Sequence, residues 1–414
     1  MDAFQEHYDR LNDEQREAVD QVDGPLLVLA GPGTGKTQLL SVRAANMILN
    51  KGISPENILI LTFTNAAARA MRDRLARIVG HQGYDVEVET FHSFANSIVL
   101  ESEGAIDYVK DKIDMTEVEK VRAIQHILDT VEGVRALRPF GSPYFFRGEI
   151  ESRISELKRE GILPGEFKRL VSGLSSDGSD DGEKRLGRLR ALAIVYEQYE
   201  KLKDEEAVKL FDERGRIDFD DMILVALDAL KREPGLAREF GKRYRYIMVD
   251  EYQDTNAAQL ELLFAILDEK APNICCVGDD DQSIFRFQGA TLSNFRTLEE
   301  RLGRLEKITL KKNYRSAAGI LELAAGIISQ LPEKERMGDK KLKPCKKHDS
   351  EGIDYLEFQT EEEEMAHLVG EVKRHAAMIS GDKGLSEEER EKPFNDIAVL
   401  VRKRDQIRRV ISAF

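Results

Sequence analysis

The stretch Leu26-Leu27-Val28-Leu29-Ala30-Gly31-Pro32-Gly33-Thr34-Gly35-Lys36-Thr37 constrains this chain more than any other. A continuous apolar run reads as a buried strand, the glycines as a tight turn, and Lys36-Thr37 as the opening of a helix. Glycines let backbone N–H groups converge on a phosphate, and the helix N-terminus adds partial positive charge there. In such a loop Lys36 reaches the β/γ-phosphates and Thr37 holds Mg²⁺. The first glycine of the general Walker A pattern is replaced by Ala30, which a strand end with negative φ accommodates. The stretch predicts an α/β P-loop fold built on a parallel sheet, and a nucleoside triphosphate as ligand, without naming the work done with it.

Length and charge bound the rest. At 414 residues, two or three domains are expected. No run of about 18 apolar residues occurs, and the acidic, polar N-terminus does not read as a signal peptide, so the cytoplasm is the expected location and no membrane partner is expected. The three cysteines form neither a disulfide framework nor a Cys-x-x-Cys metal pair, because Cys275 and Cys276 are adjacent in an apolar run and Cys345 is isolated. A net charge of −14 excludes a protein that grips nucleic acid by a basic coat. Any nucleic-acid contact must be a local groove with stacking.

Along the chain, Asn12 or Asp13 caps a short helix that brings Gln15 near the loop, where its amide can read an adenine edge. The apolar runs Ile58–Leu61 and Val86–Val88 predict further strands, ending in Thr62-Phe63-Thr64-Asn65 and Thr90-Phe91-His92-Ser93-Phe94. Ligands bind at the C-terminal edge of open α/β sheets, so this repeated polar and aromatic ending marks a binding surface. From Ser102 to Arg216 amphipathic helical patterns dominate, with an apolar-free run over 175–182 expected as a mobile surface loop. The segment reads as a helical insertion. Ile217-Asp218-Phe219-Asp220-Asp221-Met222 marks the return; its carboxylates suit either a metal or, for Asp218, the capping of the next helix, which is the preferred reading.

Tyr246–Val249 then runs into Asp250-Glu251, a Walker B ending in which Asp250 holds Mg²⁺ and Glu251 orients and deprotonates the attacking water. Ile274–Val277 repeats the design and leads to Gly278-Asp279-Asp280-Asp281-Gln282, with Gln282 able to contact a γ-phosphate. Phe285 and Phe287 follow as stacking platforms, each worth ~1–3 kcal/mol per base. Beyond residue 290 the pattern starts again: strands are expected at Ile308–Leu310, at Tyr355–Phe358 and at Asp396–Val401, and the Glu361–Glu364 run suits the first turn of a helix.

Taken in order, these motifs resemble superfamily 1A DNA helicases of the UvrD/Rep/PcrA type. The resemblance implies a RecA-like ATPase domain over 1–101 and 217–292, a helical insertion over 102–216, and a partial second RecA-like domain over 293–414. It implies ATP and Mg²⁺ as cofactors, held by Gln15, Ala30, Gly31, Pro32, Gly33, Thr34, Gly35, Lys36, Thr37 and Gln38, with Tyr314 stacked on adenine. Asp250 and Glu251 carry catalysis together with Lys36, Gln282 senses the γ-phosphate, and Arg315 serves as an arginine finger. Phe63, Asn65, His92, Phe285 and Phe287 fall where the family contacts single-stranded DNA. The implied activity is ATP-driven 3′-to-5′ movement along single-stranded DNA and unwinding at DNA junctions, with repair or recombination proteins as partners. The alternative is an ATP-responsive DNA-binding fragment without unwinding. Gln38 replaces the family's arginine after the Walker threonine, and Phe287-Gln288 replaces Trp-Arg. The family's late motifs have no counterpart, so the sequence reads as the N-terminal part of a longer helicase.

Overall fold

The computed structural model describes residues 3–204, 214–268, 270–282, 292–332, 340–345, 353–381 and 390–414. It divides into two units, Met1–Asp349 and Ser350–Phe414. The first is built on a six-stranded sheet. Its strands are β1 (Leu26–Ala30), β2 (Ile58–Thr62), β3 (Glu87–Thr90), β4 (Tyr246–Val249), β5 (Ile274–Gly278) and β6 (Glu306–Leu310), in spatial order β3-β2-β4-β5-β1-β6. Every pairing is parallel. Side chains alternate across a strand, so a sheet covered on both faces needs apolar residues at successive positions. Leu27, Leu29, Leu59, Leu61, Ile247 and Val249 enter one core layer. Leu26, Val28, Ile58, Ile60 and Met248 enter the other. Cys275 and Cys276 are buried on opposite faces and are free thiols.

Side-chain caps open three of the helices around this sheet. Asn12 forms a capping box with Gln15 ahead of β1, Thr64 caps the helix Asn65–Val79, and Thr90 caps Phe91–Glu101. The insertion has its own core, including Ile124, Ile127, Ile154, Val195 and Tyr196. A two-residue parallel pairing of Ile113-Asp114 with Arg216-Ile217 brings its entry and exit together. Within it, the polar run is an exposed loop only up to Ser179, since Asp180–Asp204 is a helix.

Three expectations for the C-terminal part need correction. Ile308–Leu310 does not open a second sheet: as β6 it pairs with β1, and Ile308 and Leu310 join the core layer of Leu26 and Val28. The sheet of the first unit therefore extends past residue 292. Tyr355–Phe358 and Ile397–Val401 are not strands, and Tyr355 and Leu400 are 83% and 92% exposed. A strand exists only by pairing, and the described residues of Ser350–Phe414 contain no strand to pair with. Among its described residues that unit holds the helices Glu361–Gly381 and Arg404–Ala413 and the short 3-10 helix Pro393–Asp396; the acidic run forms the exposed first turn of Glu361–Gly381, with Glu361 bonded to Arg409.

Candidate active site

The parallel sheet places the ends of β1, β2, β4 and β5 along one edge, and the predicted chemistry gathers there. Ala30 is the buried last residue of β1. In the loop beyond it, Gly33 and Gly35 adopt φ of 71° and 87°, a region that side-chain-bearing residues rarely occupy. Gly35 precedes the helix Lys36–Leu49 and supplies no side-chain cap, so the first-turn N–H groups remain available to an anion. Thr34 steadies the turn by donating its hydroxyl to Gly31 O at 2.8 Å. This cradle fits a phosphate chain.

Lys36 is buried, and its Nζ lies 2.6 Å from Glu251 Oε2. Beside this pair, burial and then the charge of Glu251 push the Asp250 carboxyl up to about 6, against the pull of Lys36 and of the neighbouring Thr37 hydroxyl. Thr37 and Asp250 thus stand together at the place where Mg²⁺ would be shared between the Walker elements. Glu251 is the non-glycine residue of positive φ among the described residues, at φ 49° and ψ 48°. Such backbone costs ~1–3 kcal/mol and persists where surrounding structure enforces it.

Gln282 lies at the end of β5's turn, its Nε2 donating to Asp279 Oδ2 at 2.6 Å. A cavity of about 260 Å³ joins the two strand ends, lined by Thr62, Phe63, Thr64, Asp250, Glu251 and Gln282 among others. Phe63 is 40% exposed at its wall, and Asn65 is exposed at the start of the next helix.

The segment after β6 packs onto the phosphate loop. Asn313 Nδ2 donates to Pro32 O at 2.6 Å, and Tyr314 N–H to Gly33 O at 2.9 Å. A Cβ on Gly33 would come 2.6 Å from Arg315 Cβ, so Arg315 is seated directly over the loop. Gln15 is buried behind it and donates to Thr34 O at 2.8 Å, while Asn12 Nδ2 donates to the Tyr314 hydroxyl at 3.0 Å. Gln15 and Tyr314 therefore flank the same end of the loop. Gln38 turns away, toward His7 Nδ1 at 3.0 Å.

His92 is drawn to another partner. Its ring stacks on Phe219 at 3.7 Å between centroids, its Nε2 is buried without a hydrogen bond, and burial pushes its pKa down to about 4. Phe219 is itself 66% exposed and borders a cavity of about 600 Å³ reaching into the insertion. Phe285 and Phe287 lie outside the described residues.

Below this aromatic pair Asp218 and Asp221 of the 217–222 run are engaged by lysines, while Asp220 is held by Arg159. Lys158 and Lys203 each approach Glu200, Asp218 and Asp221 within 3.0 Å, and both are almost fully buried. Burial opposes ionisation of Asp218, but the two ammonium groups outweigh it and hold its carboxyl well below the usual range. Two cations already fill this acidic group, so it is an ionic joint, and Asp218 Oδ1 also accepts the Asp221 N–H that opens the next helix.

Three residues were given no role by sequence reasoning: Asn313 on the loop, Phe219 beneath His92, and Gln253 behind Glu251. All three lie in stretches that carry the family resemblance, Asp218–Met222, Val249–Thr255 and Asn313–Ser316, but nothing in the sequence marks their partners.

Comparison with known proteins follows the same lines. A family model described as the UvrD/REP helicase N-terminal domain matches residues 11–303, and one described as the UvrD-like helicase C-terminal domain matches 308–414. The chain is 32% identical over 409 residues to the ATP-dependent DNA helicase PcrA of Staphylococcus aureus, covering 99% of this chain and 49% of that protein. It is likewise 32% identical over 399 residues to PcrA of Staphylococcus epidermidis, covering 96% of this chain and 48% of the relative. The chain spans about half the length of the curated relatives it matches. With strand-end chemistry on one parallel sheet and family models matched along nearly its whole length, the chain belongs to the UvrD/Rep family of helicases.

Proposed function

We propose that this chain carries the ATP site of a motor that hydrolyses ATP with Mg²⁺ and moves 3′ to 5′ along single-stranded DNA, unwinding junctions ahead of it. The observation that carries the reading is the juxtaposition of Lys36, Thr37, Asp250 and Glu251 with a cavity walled by Phe63 and Gln282. Residues suited to nucleotide chemistry and the exposed aromatic Phe63 share one set of strand ends. Phosphates would lie in the Gly33–Gly35 turn against Lys36, with Mg²⁺ held through Thr37 and Asp250. Mg²⁺ would neutralise charge developing on the transferred phosphoryl group. Glu251 would orient the water and take its proton, Arg315 would face the same phosphoryl group, and Gln15 and Tyr314 would flank adenine. Phe63, Asn65 and His92, with Phe285 and Phe287, would line the DNA path. Repair or recombination proteins are the partners this work calls for, and the cytoplasm its setting.

The test is ATP turnover with and without single-stranded DNA, run beside RNA of the same sequence. Strong stimulation by DNA and weak stimulation by RNA is the expected result. Turnover that stays at background while ATP and DNA both bind would overturn the motor. That outcome belongs to a second reading, an ATP-responsive DNA-binding protein without unwinding.

A further inference from the structure

Gln253 lies two residues beyond Glu251 and is 3% exposed. Its amide is bonded at both ends. Nε2 donates to Glu251 Oε2 at 2.6 Å, and Oε1 accepts the Asp279 N–H at 2.9 Å. The Glu251 oxygen it holds is the one that meets Lys36. On the other side, the Asp279 carboxylate accepts Gln282 Nε2 at 2.6 Å and Lys340 Nζ at 2.5 Å. Gly278 permits the close approach, since a Cβ there would lie 2.8 Å from Gln253 Oε1. An unbroken chain of contacts therefore runs from Lys36 through Glu251, Gln253 and Asp279 to Gln282.

We infer that Gln253 is a positioning residue that fixes the Glu251 carboxylate and ties it to the Gly278–Gln282 turn, so that displacement of Gln282 by a γ-phosphate is felt at Glu251. The bridge requires a side chain that donates at one end and accepts at the other. An amide of this length does both. Glutamate offers acceptors only and would face the Glu251 carboxylate, whereas leucine fills the space and offers neither. The inference rests on the proposed ATPase reading for its chemical consequence, but the bridge itself can be read without turnover.

The experiment compares the wild-type chain with Gln253→Leu and Gln253→Glu in three measurements. These are DNA-stimulated ATP turnover, binding of a fluorescent non-hydrolysable ATP analogue, and amide hydrogen exchange over residues 277–282 with and without that analogue. Gln253→Leu is expected to lower kcat by roughly 10- to 100-fold with KM nearly unchanged, the signature of a misplaced catalytic group. It also speeds exchange at Asp279 and uncouples residues 279–282 from the analogue, while exchange at Val277 stays as in wild type. Gln253→Glu is expected to lose turnover yet keep Asp279 protected, because its acceptor remains. A Gln253→Leu chain with wild-type turnover, or with wild-type Asp279 exchange, overturns the inference. A wild-type chain without turnover instead defeats the ATPase reading, and Asp279 exchange in Gln253→Leu then still decides whether the bridge exists.

Discussion

Lys158 shows how much one side chain can commit. It is 1% exposed, it faces three carboxylates, and those charges hold its ammonium well above its ordinary pKa despite burial. Removing one member of a buried ion cluster leaves the others uncompensated. Lys158→Met is therefore expected to destabilise the chain by about 3 kcal/mol. Adding Asp221→Asn should recover part of the loss, a non-additivity that thermal denaturation of the four proteins of a double-mutant cycle would measure. Glu89 makes the opposite case. Burial, followed by the neighbouring charge of Glu87, pushes its pKa up to about 7. A carboxyl whose folded pKa is raised destabilises the fold where it must ionise, so the cost is full above pH 7 and absent below its unfolded pKa. Glu89→Gln should raise stability by about 1 kcal/mol at pH 8, allowing for solvent screening, with the gain fading through pH 7 and gone near pH 4. Melting temperatures of both proteins across that range check the sign.

At the scale of elements, strand-turn-helix units explain why the site assembles. A parallel strand delivers its last residue to the same edge as its neighbours, so Ala30, Thr62, Val249 and Gly278 end side by side although they are distant in sequence. The same logic limits what an apolar run can promise. Ile308-Thr309-Leu310 alternates and is recruited as an edge strand by β1, whereas Ile397–Val401 finds no partner among the described residues. With Leu400 92% exposed, Leu400→Lys is expected to leave the melting temperature of this chain within about 1 °C, because surface substitutions rarely exceed ~0.5 kcal/mol. A loss of several degrees would show that the segment is packed.

For the molecule as a whole, the insertion has a separate core and nearly adjacent ends, joined by the Ile113-Asp114 and Arg216-Ile217 pairing. Such a segment can leave without opening the sheet. Replacing residues 115–215 by a short Gly/Ser linker is expected to preserve binding of an ATP analogue within a few-fold, since Lys36, Thr37, Asp250 and Glu251 lie outside it. It should weaken DNA binding, because the cavity beneath Phe219 would be lost. Fluorescence titration with the analogue and with a labelled single strand would measure both. Loss of analogue binding would mean that the insertion supports the sheet. A net charge of −14 makes such local stacking surfaces, and not bulk attraction, the means by which DNA would be held.

Residue types and spacing alone pointed to the parallel α/β fold and to the family, and singled out the strand-end residues, Lys36, Thr37, Asp250 and Glu251, that the fold brings together. These are local signals: a glycine-rich turn between an apolar strand and a helix, or an acidic pair at a strand end, carries its chemistry within a dozen residues. Tertiary structure decided which sheet β6 joined, that the carboxylates near Asp218 are filled by Lys158 and Lys203, that Phe219 backs His92, and that Gln253 joins Glu251 to Asp279. Each depends on partners far apart in sequence, and an apolar triplet, a lysine or a glutamine bears no mark of the partner that folding will bring to it.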